Sequence, residues 1–187
     1  MSEYFVMEAR ARSPIARVSL ISDVVGSPWM TGSIVAEPEQ LVEYSVDPGR
    51  RGNLSPFYWA LAVPLIRHDL LEVLRGAGVD NMQVFDAVLH DTAAGQDHTN
   101  YSALNILGLV SAADLSKSTL MRGESLTGVD HDFQKLVIAK DAVPSDLLMF
   151  RLAESVNAIV VHEKVKAAIE ARAIVGMLFY AQGEWSG

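Results

Sequence analysis

The chain has 187 residues, a formal net charge of −8 and no cysteine. A domain of that length buries roughly 70% of its unfolded surface without a disulfide or a metal, and a composition half hydrophobic and one-fifth charged excludes a disordered chain. The missing cysteines exclude thiolate nucleophiles and Cys-based zinc sites, while the acidic balance speaks against nucleic acid and anionic lipid and for basic partners.

No window reaches the ~18 consecutive apolar residues of a membrane helix. Met1–Arg17 mixes Glu3, Glu8, Arg10, Arg12 and Arg17 with short apolar runs, so it does not read as a signal peptide and the expected compartment is the cytoplasm. Tyr4–Glu8 reads as an edge strand. Residues 10–56 are rich in turn signals, among them Ser13-Pro14, Gly26-Ser27-Pro28, Glu37-Pro38 and Asp47-Pro48-Gly49, and within them Leu41–Val46 alternates as a strand. Residues 1–40 are expected as an arm packed on a single domain spanning 1–187. Phe57, Tyr58 and Trp59 form an aromatic knot between two prolines.

Leu70, Leu71, Val73 and Leu74 have helical spacing, so Asp69–Gly78 is predicted as a helix, with His68-Asp69 at its N-cap and Gly76 and Gly78 as stops. Met82–His90 reads as a strand, Asp91–Asn100 as a polar hairpin loop, and Tyr101–Ala113 as a long apolar strand. Asp114–Asp132 reads mostly as loop. Phe133–Ala139 and Leu147–Leu152 are predicted strands. A last unit follows, with strand Ala158–Val161, helix Glu163–Ala171 and strand Gly176–Ala181.

That last unit repeats an earlier one. Aligned without gaps, Pro64–Ala87 and Ala158–Ala181 place His68 on His162, Asp69 on Glu163 and Phe85 on Phe179. The expected architecture is α+β, a mostly antiparallel sheet with two short helices built from a degenerate strand–helix–strand repeat.

Chemistry is sparse. His68 and His162 suit local capping roles. His90, Asp91, Asp97 and His98 bracket one hairpin loop, and two imidazoles with two carboxylates there offer a metal or hydrolytic site, though without the fixed spacing of metal ligands. Asp130-His131-Asp132 is a second acidic–imidazole cluster that fits either acid–base work or a solvated loop. There is no Gly-x-Ser-x-Gly elbow, phosphate loop or basic run. What remains is surface for binding. Trp29, in a Gly-Ser-Pro-Trp-Met-Thr-Gly loop, is a candidate interface anchor or a cover for a sheet edge. Asp91, Asp97 and His98 in one acidic loop, and Glu124, Asp130, His131 and Asp132 in another, suit a basic partner.

Val-Pro-x-x-x-Leu-Met-Phe-Arg-Leu-Ala (Val143–Ala153), Ile-Val-Val-His-Glu-Lys-Val-Lys (Ile159–Lys166) and Val-Gly-Met-Leu-Phe (Val175–Phe179) together resemble the immunity-protein-eleven family. Pro64-Leu-Ile-Arg-His-Asp and Met82-Gln-Val-Phe are similar to that family's weaker N-terminal pattern. The resemblance covers roughly Leu41 to Ala181. It implies a bacterial immunity protein that neutralises a cognate polymorphic toxin, encoded nearby, by occlusion, with no cofactor and no catalytic residues. The alternatives are an enzyme centred on the His90/Asp91/Asp97/His98 loop and a generic protein-interaction subunit.

Overall fold

The computed structural model describes residues 3–9, 14–24, 27–59, 61–121 and 130–187. In chain order, β1 (Tyr4–Ala9) and β2 (Val18–Leu20) precede a single helical turn, α1 (Ser27–Met30). Next come β3 (Val42–Val46), β4 (Phe57–Tyr58), β5 (Leu65–Arg67), α2 (His68–Ala77), β6 (Met82–Asp91), β7 (Gln96–His98) and β8 (Tyr101–Ile106). β9 (Leu109–Val110), β10 (Thr119–Leu120) and β11 (Phe133–Lys135) lead to a 3-10 turn at Lys140–Ala142. β12 (Met149–Leu152), β13 (Ser155–His162), α3 (Glu163–Ala171) and β14 (Met177–Tyr180) close the chain.

One sheet runs β14-β1-β13-β12-β9. A second runs β2-β3-β6-β8-β5-β4, with β7 beside β6, and β10 pairs with β11 apart from both. Among the described residues every strand pairing is antiparallel except β3 with β6 and β9 with β12, so the fold is α+β and mostly antiparallel.

The repeat is real, but the ungapped alignment is slipped by one residue. β5 and β6 flank β8, and β13 and β14 flank β1, so each unit is a strand–helix–strand crossover with an antiparallel strand inserted between its two parallel ones. Faces decide the register. Ile66, Leu104 and Val84 share the central core with Val161, Met7 and Phe179. Those pairs match only if Arg67 is laid on His162 and His68 on Glu163. Both helix N-caps then coincide, and so do Leu70 with Val165 and Leu74 with Ile169. Aligning the two histidines instead would turn every strand side chain to the wrong face.

Hydrogen bonds follow the corrected register. Arg67 N donates to Pro56 O at 2.9 Å, as His162 N does to Leu148 O at 2.9 Å. His68 N donates to Asn100 O and Glu163 N to Glu3 O, at 2.9 and 2.8 Å. Tyr101 Oη donates to Ser55 O, and Tyr4 Oη to Leu147 O. Each unit therefore has four matching strands, in the orders β6-β8-β5-β4 and β14-β1-β13-β12.

The two helices face each other across one core that takes residues from both sheets, including Leu70, Leu74, Ile66, Leu104, Ile159, Val161, Val165 and Ile169. A second core, with Tyr4, Phe133, Phe150 and Trp185, covers the other face of the β14-to-β9 sheet. A third, with Trp29, Tyr44, Leu65 and Leu89, covers the other face of the larger sheet.

Several local expectations change. Tyr4–Ala9 is an internal strand paired on both sides, not an edge, because its alternate side chains enter two different cores. The apolar run Tyr101–Ala113 breaks at Leu107-Gly108, where Gly108 takes φ +84° and Leu109–Val110 crosses to the other sheet. Phe133–Ala139 pairs as a strand only over Phe133–Lys135, and Leu147–Leu152 only from Met149. The hairpin Asp91–Asn100 contains a strand, Gln96–His98. His68 does not cap α2; its Nε2 lies 3.1 Å from Ser102 Oγ. His162 does cap α3, its Nδ1 accepting from Lys164 N at 3.1 Å.

Candidate functional site

The larger sheet extends past the N-terminus of α2, and there Glu43 and Asp86 on its helix-side face are exposed while Val88 between them is buried. On β3 the buried residues Val42, Tyr44 and Val46 alternate with exposed Glu43 and half-buried Ser45. On β6, Asp86, Val88 and His90 continue the face that Met82 and Val84 begin under α2. Three adjoining hollows of about 620, 180 and 240 Å³ lie around the segment before β3 and the β3–β6 end of the sheet, and Leu41, 47% exposed, lines all three. Among the described residues their lining includes five carboxylates, Asp23, Glu37, Glu39, Glu43 and Asp86, and no lysine or arginine. Exposed Ile21 adds apolar surface beside Leu41. An apolar centre ringed by carboxylates suits a basic side chain with an aliphatic stem.

Part of the expected loop cluster belongs to this edge. His90 pairs with Asp97 across β6 and β7. Its Nδ1 is 2.7 Å from Asp97 Oδ1, and its Nε2 is 3.4 Å from Glu43 Oε1. The Asp97 hydrogen bond, helped by Glu43, raises the His90 pKa above its ordinary value. Asp91 lies 3.6 Å from the Arg51 guanidinium, and His98 pairs with Leu89. Among the described residues no group of three or more His, Asp or Glu side chains is arranged to hold a metal ion. His90 thus sits between two carboxylates in an electrostatic clamp across three strands.

The second expected cluster lies on the other sheet. Asp130, at φ +66°, accepts from Val156 N through Oδ1 at 2.9 Å and so anchors the turn into β13. His131 is buried, stacks edge-on against Phe133, and donates its backbone N–H to Glu154 O. Asp132 is exposed beside it. Glu124 lies outside the described residues. Burial of His131 leaves the exposed carboxylates of Asp130 and Asp132 as the accessible part of that cluster.

Trp29 is buried at 2% exposure, its ring edge-on to Phe85 at 5.2 Å. The indole therefore closes the third core, lines one hollow from beneath and does not project as an anchor. Trp185 is buried too, its Nε1 donating to Glu8 Oε1 at 2.8 Å.

Sequence reasoning missed Glu39, Glu43, Asp86 and Leu41 as neighbours. The alternation of Leu41–Val46 put Glu43 outward, but only the parallel pairing of β3 with β6 sets it beside His90. No protein-family model matches the chain, and no curated protein matches it. None of the described helices is long and apolar enough to cross a membrane.

Proposed function

We propose that this chain is a bacterial, cytoplasmic immunity protein that binds a basic protein toxin and neutralises it by occlusion. The observation that carries the reading is the carboxylate-lined surface around Leu41, whose three hollows are lined by no lysine or arginine among the described residues. A surface of one sign speeds encounter with an oppositely charged partner and rejects acidic ones. The exposed side chains of Leu41 and Ile21 supply the apolar contact that holds the complex after encounter. Asp91, Asp97 and His98 extend the same edge along the β6–β7 hairpin, and the resemblance to an immunity family supplies the class of partner.

The test is co-expression with the toxic product of an adjacent gene, scored by growth and by co-elution. Glu39→Lys with Asp86→Lys, both on exposed positions, is expected to abolish rescue and weaken binding by about tenfold or more, with a shallower salt dependence. Undiminished rescue and an unchanged salt slope in that double variant would remove the groove from the interface.

A further inference from the structure

The two helices run antiparallel, so the repeat places two equivalent crevices at opposite ends of the helix pair. At one end Gly78, closing α2, lies against the start of α3. A Cβ there would meet Leu148 Cδ1 at 3.4 Å and Lys164 Nζ at 3.6 Å. Asn81 seals this end, donating through Nδ2 to Leu107 O at 3.1 Å and to Met149 O at 3.0 Å. At the other end the counterparts of Gly78, Leu148, Lys164 and Asn81 are Ala173, Pro56, Asp69 and Gly176. A proline replaces the leucine that fills the first crevice, and a glycine replaces the amide that ties it shut.

The second crevice is accordingly open. It measures about 690 Å³ and is lined by Leu54, Pro56, Ile174, Met177 and Leu178, with Val175 on its rim at 84% exposure. Its charged lining is Arg67, Asp69 and Arg172. Arg67 donates to both Asp69 carboxylate oxygens, through Nε and Nη2, at 2.8 Å, and Arg172 has no carboxylate partner among the described residues. The crevice therefore carries one uncompensated cation on a protein of net charge −8.

We propose that this crevice is a second docking site, distinct from the acidic groove, which seats a leucine side chain of a partner polypeptide with an acidic residue beside it. The closed crevice supplies the precedent for the leucine, and Arg172, without a carboxylate partner among the described residues, calls for the acid. Leu148 is delivered there by the segment Ser145-Asp146-Leu147-Leu148-Met149-Phe150, in which exposed Asp146 stands two residues before the half-buried leucine. In the open crevice the same pair of groups would fill the volume vacated at Pro56 and neutralise Arg172.

A blocked peptide of sequence Ser-Asp-Leu-Leu-Met-Phe is the probe, titrated into the full chain carrying labelled Ile, Leu, Val and Met methyl groups. Saturable shifts are expected at Ile174, Val175, Met177 and Leu178, with an affinity on the order of 1 mM or tighter. Val175→Asp with Leu178→Asp, both exposed, should weaken binding about tenfold. Pro56→Leu, which restores the side chain of the closed crevice, should compete with the peptide and also weaken it. A peptide in which serine replaces the second leucine should lose binding, and one in which lysine replaces the aspartate should weaken it. No methyl shifts up to about 1 mM, shifts centred on Leu41, or undiminished binding in the double-aspartate variant would each overturn the proposal. So would concentration-dependent self-association that protects the same methyls without peptide, since the occupant would then be a second copy of the chain.

Discussion

The two repeat units share a four-stranded core and differ in what surrounds it. In the first unit β6 is ten residues long, whereas its counterpart β14 has four. The extra length of β6 carries β3 on one side and β7 on the other, and the acidic groove is built from those additions. The second unit receives β9 beside β12, and Trp185 closes the core on its far face. Matched registers supply a rigid platform, and the binding surfaces arise where the halves stop matching.

The comparison breaks first if the halves are not one cooperative body. Leu74 and Ile169 are counterparts, 0% and 1% exposed, and both enter the central core. Leu74→Ala and Ile169→Ala should each cost ~2–5 kcal/mol, because each leaves a cavity that the facing helix cannot fill. Urea unfolding followed by fluorescence and by circular dichroism should give one coincident transition for both variants. A biphasic curve in which each variant moves only one phase would mean that the units are energetically separate.

A second difference lies at the strand ends. Trp59 packs against the central core one residue beyond β4, and its counterpart in β12 is Arg151. Arg151 is 0% exposed. Nη1 donates to Val156 O, but Nε and Nη2 have no hydrogen-bond partner among the described residues. Burial pulls its pKa down to about 10, so the guanidinium is still charged at neutral pH. The unfolded side chain binds its proton more tightly, so this destabilisation is fully present below pH 10 and is relieved as the pH rises through that value. Arg151→Leu should therefore raise stability by about 1 kcal/mol or more at pH 7, despite the lost bond to Val156. A loss of stability would show that the guanidinium is better compensated than its neighbours indicate.

Asn81 sharpens the contrast between the crevices. Removing its two hydrogen bonds in Asn81→Ala should cost ~1–3 kcal/mol, since Leu107 O and Met149 O lose a donor in a part-buried setting. Its counterpart Gly176 has no such bonds to lose. Amide exchange should quicken around Gly78 and Leu148 and stay unchanged around Ala173. Uniform acceleration at both ends would argue that the crevices are coupled rather than independent.

Much of this fold was legible in the residues, and the limits have physical causes. Helix Glu163–Ala171 follows from Val165, Ala168 and Ile169 on one face, and β6 from its alternation, because both patterns are local. The repeat was legible as an order of elements. Its register was not, because two histidines attracted the alignment although one is an N-cap and the other the first helical residue. The inserted strands were hidden for a different reason. β8 follows its unit in the chain while β1 precedes its own, so the equivalence of Tyr101 with Tyr4 is permuted and no collinear comparison finds it. The groove needed two strands distant in sequence to pair in parallel, which no local pattern encodes.

The smallest expected effect concerns His90, which lies on the part of β6 that β14 lacks. Its neighbours from every packed element are acidic at closest range, Asp97 from β7 and Glu43 from β3, with Arg51 held off by Asp91. Because the folded pKa is raised above the ordinary ~6.5, the imidazolium stabilises the sheet edge fully below that pH. The contribution is lost as the pH rises through the folded value. An NMR titration should place the His90 midpoint above the ordinary ~6.5. Asp97→Asn should lower the midpoint more than Glu43→Gln does, since the 2.7 Å bond is the larger cause. The stability difference between the native chain and His90→Gln should shrink from pH 5.5 to pH 8.5, well within about 1 kcal/mol for so accessible a clamp. A midpoint at or below the ordinary value would mean that the carboxylates are turned to solvent and that the clamp across β3, β6 and β7 does not persist in solution.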